Sequence, residues 1–235
     1  MKQVQFSDLG LKPYKDAWDY QEILLQENVA IKGAARTAGD YDAQTLPTID
    51  RLLFTEHEPV YTLGKSGKED HVLLDGQQLA QKGISYFHIN RGGDITFHGP
   101  GQIVGYPILD LEHFKTDLGW YLRSLEEVII LTLAQYGLQG ERSPGETGVW
   151  LDANIKGRER KICAMGIRCS RWVTMHGFAL NVNTNLNYFN FIIPCGIQGK
   201  RVTSLEKELG QALPMEEVKQ HIKTNFENVF GVQLV

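Results

Sequence analysis

Apolar positions recur every three to four residues in three stretches of this chain and alternate, or run together, in several shorter ones. The first period predicts helices and the second predicts strands. Residues 14–31 carry Ala17, Tyr20, Leu24, Val29 and Ile31 at helical spacing, with Pro13 at the first turn. Residues 118–136 repeat the pattern through Leu118, Leu122, Leu125, Ile129 and Leu133, and Gly137 supplies a stop. After Pro214, Val218, Ile222, Phe226 and Phe230 recur every fourth residue up to Gly231. Strands are predicted at 4–9, at 51–63 with a break near Pro59, at 84–89, 103–111 and 149–151, and in a hairpin of 162–168 with 172–182. The small, polar segment 33–48 reads as a loop. Gly64-Lys65-Ser66-Gly67-Lys68 lacks the spacing of a phosphate-binding loop and reads as a turn. Strands with segregated helices define an α+β fold, a mixed or mostly antiparallel sheet with helices packed on one side. Residues 1–235 make a single domain, with 205–235 a candidate small C-terminal lobe.

The segment between the strands at 84–89 and 103–111 changes the picture. Arg91-Gly92-Gly93-Asp94-Ile95-Thr96-Phe97-His98-Gly99-Pro100-Gly101-Gln102 holds four glycines in twelve residues. Glycine is used where φ must be positive or where backbone must approach a ligand, so the segment predicts a binding wall made largely of backbone.

Composition narrows the class. The chain has 235 residues, 42% hydrophobic and 22% charged, which predicts a packed core. A net charge of −4 argues against a general nucleic-acid binder. No stretch approaches the roughly 18–20 apolar residues of a membrane span, and the start shows no signal-peptide run. Three cysteines, an odd count, do not resemble a disulfide framework, so a reducing cytoplasm is expected.

Cys195 stands in Pro194-Cys195-Gly196, a tight turn suited to presenting sulfur to a cleft; buried packing is the plainer alternative. Cys163 and Cys169 fall in the strand-like hairpin and form no CxxC pair, so no metal site is expected. Lys161 opens an apolar strand, where partial desolvation favours its neutral form; a solvated hairpin residue is the alternative. His98 and His176 each precede a glycine and are expected to make structural hydrogen bonds to loop backbone. Arg91 is suited either to a carboxylate or to bracing the glycine loop. Asp94 and Asp110 show no partner spacing that marks a carboxylate pair.

Four motifs, in order, carry a resemblance. Arg91-Gly92-Gly93-x-x-Thr96-x-His98-Gly99-Pro100-Gly101-Gln102, Lys161-Ile162-x-Ala164-Met165-Gly166, His176-Gly177-Phe178-Ala179-Leu180-Asn181-Val182 and Pro194-Cys195-Gly196 together resemble the signature of the lipoyl(octanoyl) transferases. The resemblance implies the fold of biotin protein ligases and lipoate–protein ligases. It implies transfer of octanoyl from acyl carrier protein to a lysine of a lipoyl domain, as carried by 2-oxoacid dehydrogenase E2 subunits and the glycine cleavage H protein, with no cofactor. It puts the acyl-thioester cysteine on Cys195 and its paired lysine on Lys161. The acyl-binding segments fall on Arg91, Gly92, Gly93, Asp94, Ile95, Thr96, Phe97 and His98, on Ala164, Met165 and Gly166, and on Gly177, Phe178 and Ala179. An ATP-dependent lipoate ligase and a non-catalytic acyl-carrier-binding protein are the two alternatives. Lys156, Arg158, Arg160, Lys161, Arg168 and Arg171 then become a candidate dock for an acidic carrier protein.

Overall fold

The structure, a computed structural model, describes residues 2–193 and 201–235. Strand β1 (Lys2–Lys12) leads through Pro13 into helix α1 (Tyr14–Ala38). β2 (Arg51–His57) and β3 (Val60–Leu63) follow, then α2 (Gly76–Gln81), β4 (Ser85–His88), β5 (Ile95–His98) and β6 (Gln102–Ile108). Helix α3 (Leu118–Ala134) precedes β7 (Val149–Leu151), β8 (Arg160–Ser170) and β9 (Val173–Asn181). The chain closes with β10 (Arg201–Val202), α4 (Leu205–Leu209), α5 (Met215–Phe230) and β11 (Val232–Leu234).

The large sheet runs β10-β8-β9-β6-β2-β1-β11, and β7 also pairs with β8. Its middle is antiparallel, whereas β1 pairs in parallel with both β2 and β11, and β10 in parallel with β8. The sheet is therefore mixed. Every residue of β6 and β9 is buried, which requires cover on both faces. Alternation shows how. Leu52, Phe54, Ile103, Phe178 and Leu180 face α3 and α5, whereas Leu53, Val104, Tyr106 and Ala179 face α1 through Ala17, Leu24 and Leu25. Helices thus cover both sides of the sheet, not one. The segment 205–235 buries Leu205, Val218, Ile222, Phe226 and Val232 in the same core as α3 rather than apart from it.

Two further expectations are corrected. The stretch 51–63 is two strands, broken at the bend of Glu58 and Pro59: β2 belongs to the large sheet, and β3 to a second, three-stranded sheet ordered β4-β3-β5. Helix α1 does not end near residue 31 but runs to Ala38, with Gly39 left-handed after it. Its extension has a tertiary cause. Lys32 is fully buried, its Nζ 2.5 Å from Asp110 Oδ1 and 2.8 Å from Glu112 Oε2. Among the described residues no helix is long and apolar enough to cross a membrane.

Candidate active site

β8 and β9 run antiparallel with Ala164 opposite Ala179, Met165 opposite Phe178 and Gly166 opposite Gly177. These six residues form one wall of an apolar cavity. Gly93, Asp94, Ile95, Thr96 and His98 form another, with Arg91, and Val104 and Tyr106 of β6 and Tyr14 of α1 add to the lining. Lys161 also lines the cavity, together with Thr147, Asn181 and Val202. Gly166 stands five residues further along β8, about 16 Å away at strand rise.

The predicted wall is part loop and part strand, since Ile95 to His98 form β5. Gly92 and Phe97 face elsewhere. Gly92 N donates to Ile167 O at 2.9 Å, and the Phe97 ring stacks on Tyr188 with centroids 4.5 Å apart. Gly93 has φ +85°, a conformation that disfavours side chains. The loop docks on β8 so closely that a Cβ at Gly166 would meet Gly92 O at 2.9 Å. The Gly64 turn is zipped to the same loop, Lys65 N donating to Arg91 O at 3.0 Å and Ser66 N to Gly93 O at 3.1 Å. Arg91 is buried and braces the loop: Nη2 donates to Thr62 O at 2.7 Å and Thr62 Oγ1 at 3.0 Å, and Nη1 to Gly92 O at 2.9 Å.

Three histidines lie buried around this arginine. His98 Nδ1 donates to Gln102 Oε1 at 2.8 Å, Gln102 Nε2 to Asn181 Oδ1 at 2.8 Å, and Asn181 Nδ2 to Thr203 O at 3.0 Å. His57 Nδ1 donates to Lys12 O at 2.8 Å, so its Nε2 accepts from the Tyr106 hydroxyl at 2.7 Å. His176 adopts φ +58°, and its Nε2 donates to Asn90 Oδ1 at 3.1 Å. Burial pushes His57 down to about 4. Burial and then the Arg91 charge push His176 down to about 3. Burial, reinforced by His57, holds His98 well below the ordinary imidazole value. All three are neutral near pH 7, and the hydrogen bonds expected of His98 and His176 go mostly to side chains.

Lys161 pairs with Trp150 of β7 and Val202 of β10, and its Nζ lies 4.6 Å from the Trp150 ring centroid. Next to it, Gly148 has φ +104° and a Cβ direction blocked by Cys163 O at 2.5 Å; its N donates to the buried carboxylate of Glu126 at 3.1 Å. Cys195 lies outside the described residues. Burial raises both other thiols, Cys163 completely enclosed and Cys169 half-buried, so neither resembles an activated nucleophile. Among the described residues no group of three or more His, Cys, Asp or Glu is arranged to hold a metal ion.

The site also uses residues that the pattern of the sequence did not single out: Tyr14, Val104, Thr147 and Phe189 line the cavity, and Trp150 and His57 stand behind it. Tyr14 lies at a helix start and His57 at a strand end. Only tertiary packing brings them to His98, with Tyr14 and His98 stacked at 5.8 Å. The six cations do not form one patch. β8 is eleven residues long, so Arg158 and Arg171 stand at opposite ends of it, more than about 30 Å apart by strand rise. Arg160 is bound to Glu208 and Asp152, and Arg168 to Glu22.

An apolar cavity walled by a glycine loop and two antiparallel strands, with a lysine on its lining, is the candidate active site of the domain. The lipoyl protein ligase A/B catalytic domain family matches residues 13–227. An octanoyltransferase of Christiangramia forsetii is 56% identical over 234 residues, covering 99% of this chain and 98% of its own. That of Flavobacterium johnsoniae is 57% identical, covering 100% and 99%. In fold, the chain matches a bipartite lipoate protein ligase of Thermoplasma acidophilum with TM-score 0.70 at 16% identity, over 100% of this chain and 86% of that one. A biotin protein ligase of Aquifex aeolicus matches with TM-score 0.52 at 13% identity, over 97% and 70%. The chain belongs to the lipoyl protein ligase A/B catalytic domain family, and within it stands with the octanoyltransferases as an acyltransferase.

Proposed function

We propose that this enzyme carries octanoyl from an octanoyl-acyl carrier protein to a lysine of a lipoyl domain, in lipoate biosynthesis, through a thioester on Cys195. The observation that carries this reading is the position of Lys161 on the lining of an apolar cavity whose wall is the Ala164–Gly166 and Gly177–Ala179 strand pair. An alkyl chain in such a cavity gains about 0.8 kcal/mol per buried CH₂, enough to favour eight carbons over six by less than about 2 kcal/mol. The Lys161 ammonium favours the Cys195 thiolate. That thiolate attacks the donor carbonyl, a carbon–sulfur bond to Cys195 forms, and the bond to the carrier sulfur breaks. Lys161 gives its proton to the departing carrier thiolate. Neutral Lys161 then takes a proton from the acceptor amine as that nitrogen attacks the enzyme thioester, and Cys195 leaves as thiolate. The acceptors in this reading are lipoyl domains of 2-oxoacid dehydrogenase E2 subunits and the glycine cleavage H protein, and the compartment is a reducing cytoplasm.

Intact-mass measurement after incubation with octanoyl-acyl carrier protein tests it. The expected result is one octanoyl added to the parent enzyme without ATP, and none added to Cys195→Ser. An octanoylated Cys195→Ser, or transfer that requires ATP, overturns the reading.

A further inference from the structure

Trp150 and Lys161 are direct cross-strand partners, so their side chains leave the β7–β8 ladder on one face. The Lys161 Nζ stands 4.6 Å from the centre of the Trp150 ring, within the roughly 6 Å over which an aromatic face attracts a cation. Trp150 is 2% exposed and stands between Val149 and Leu151, which pack into the core with α3. A buried indole thus lies directly beneath the lysine.

We propose that Trp150 is a positioning residue for the reaction, its indole face holding the Lys161 ammonium against the acyl cavity. This rests on the reading of Lys161 as the proton-handling group. A lysine side chain has four rotatable bonds, and its charge is strongly hydrated. The ring replaces part of that hydration on one side and holds the side chain where it lines the cavity. A residue that merely fills volume has no such requirement for a π face.

Steady-state transfer from octanoyl-acyl carrier protein to an apo lipoyl domain separates the two roles. Trp150→Leu keeps an apolar side chain and removes the ring. Its kcat is expected to fall about tenfold, with KM for both substrates within about twofold of the parent. Trp150→Phe keeps a ring face and loses the indole N–H, as leucine does; its kcat is expected to stay within about threefold. Should Trp150→Leu fail to fold, Trp150→Met supplies the ringless variant with the same expectation. Equal losses in the phenylalanine and ringless variants, or a change confined to KM, overturn the proposal. Lys161→Ala, measured alongside, separates the layers. If it is inactive while the ring variants behave alike, the positioning role fails and the lysine's role stands. If it turns over normally, the reading of Lys161 itself fails.

Discussion

A single carbonyl oxygen decides what can stand at position 166. Gly92 O would lie 2.9 Å from any Cβ there, and Arg91 Cδ 3.0 Å. The loop and β8 therefore touch through backbone, and the loop's own Gly93 adds a positive φ. Gly93→Val places a branched residue where φ is +85°, at a cost on the order of 1–3 kcal/mol, and lifts the loop off the strand. Acylation by even a small octanoyl thioester should fall more than about tenfold, and a variant with normal melting and normal acylation would show the loop to be a plain turn. The thiols divide just as sharply. Cys163 is completely buried, and burial raises its pKa, so its thiolate is scarce at neutral pH. Iodoacetamide should label Cys163 last in the native protein. Cys163→Ser should keep transfer, whereas Cys195→Ser abolishes it; peptide mapping and the transfer assay check both.

At the scale of elements, the connection from α1 to β2 is held by charge rather than by apolar packing. His113 Nδ1 lies 2.7 Å from Asp50 Oδ2, Thr48 Oγ1 donates to Asp110 Oδ2 at 3.0 Å, and Lys32 joins Asp110 to Glu112, which also accepts from the Tyr41 hydroxyl. The hydrogen bond to Asp50 raises His113, more than its burial lowers it. A folded pKa above the unfolded value of about 6.5 gives stability that is complete below that value and lost as pH climbs through the raised one. Glu112 works at the other end of the scale. Its burial is outweighed by hydrogen bonds from Lys32 and Tyr41, so its net shift is downward, and its contribution is lost as pH falls from the ordinary carboxylate value through the lowered folded one. Melting scans from pH 6 to 9 should show a decline that His113→Asn flattens, by about 1 kcal/mol across the window. An unchanged slope would detach His113 from the clamp.

This clamp also explains where the sequence stopped being legible. The helical repeats through Leu125 and Ile129, and through Ile222 and Phe226, mark buried faces, and α3 and α5 lie where those repeats predict. Residues 32–38 carry no apolar repeat, because the cause of their helix is Asp110, some eighty positions away. The break at Pro59 was visible, but not that it sends β2 and β3 to different sheets. In the site, glycine density pointed to the wall, whereas Lys161 was singled out only by the family resemblance, since its own surroundings read equally well as a solvated hairpin. Tyr14, His57 and Trp150 carry no local signal of their role. Each becomes a neighbour of the cavity or its lysine only when strands distant in sequence are laid side by side.

For the molecule as a whole, the three neutral histidines set the acid limit. Their folded pKa values are depressed, so the stability they allow is present above about pH 6.5 and is lost as pH falls towards the folded values near 4 and 3. Unfolding in that range takes up as many as three protons, a slope approaching about 4 kcal/mol per pH unit. Against a typical total of roughly 5–15 kcal/mol, the protein should unfold cooperatively between about pH 6 and pH 4. Replacing His57 by Gln should move the midpoint to lower pH if the fold tolerates the lost proton; proton uptake measured during acid unfolding that stays below one would refute the account.

The pairing of Lys2 with Val232 and of Val4 with Leu234 has a consequence in time. A ribosome adds residues at roughly 5–20 per second, so β1 is complete some tens of seconds at most before the strand that flanks it exists. Through that interval one side of β1 offers open backbone groups to any passing chain, the geometry from which edge-to-edge aggregation starts. The polar and charged positions along its length, Lys2, Gln3, Gln5, Ser7, Asp8 and Lys12, suit a strand that must wait uncovered for its last neighbour.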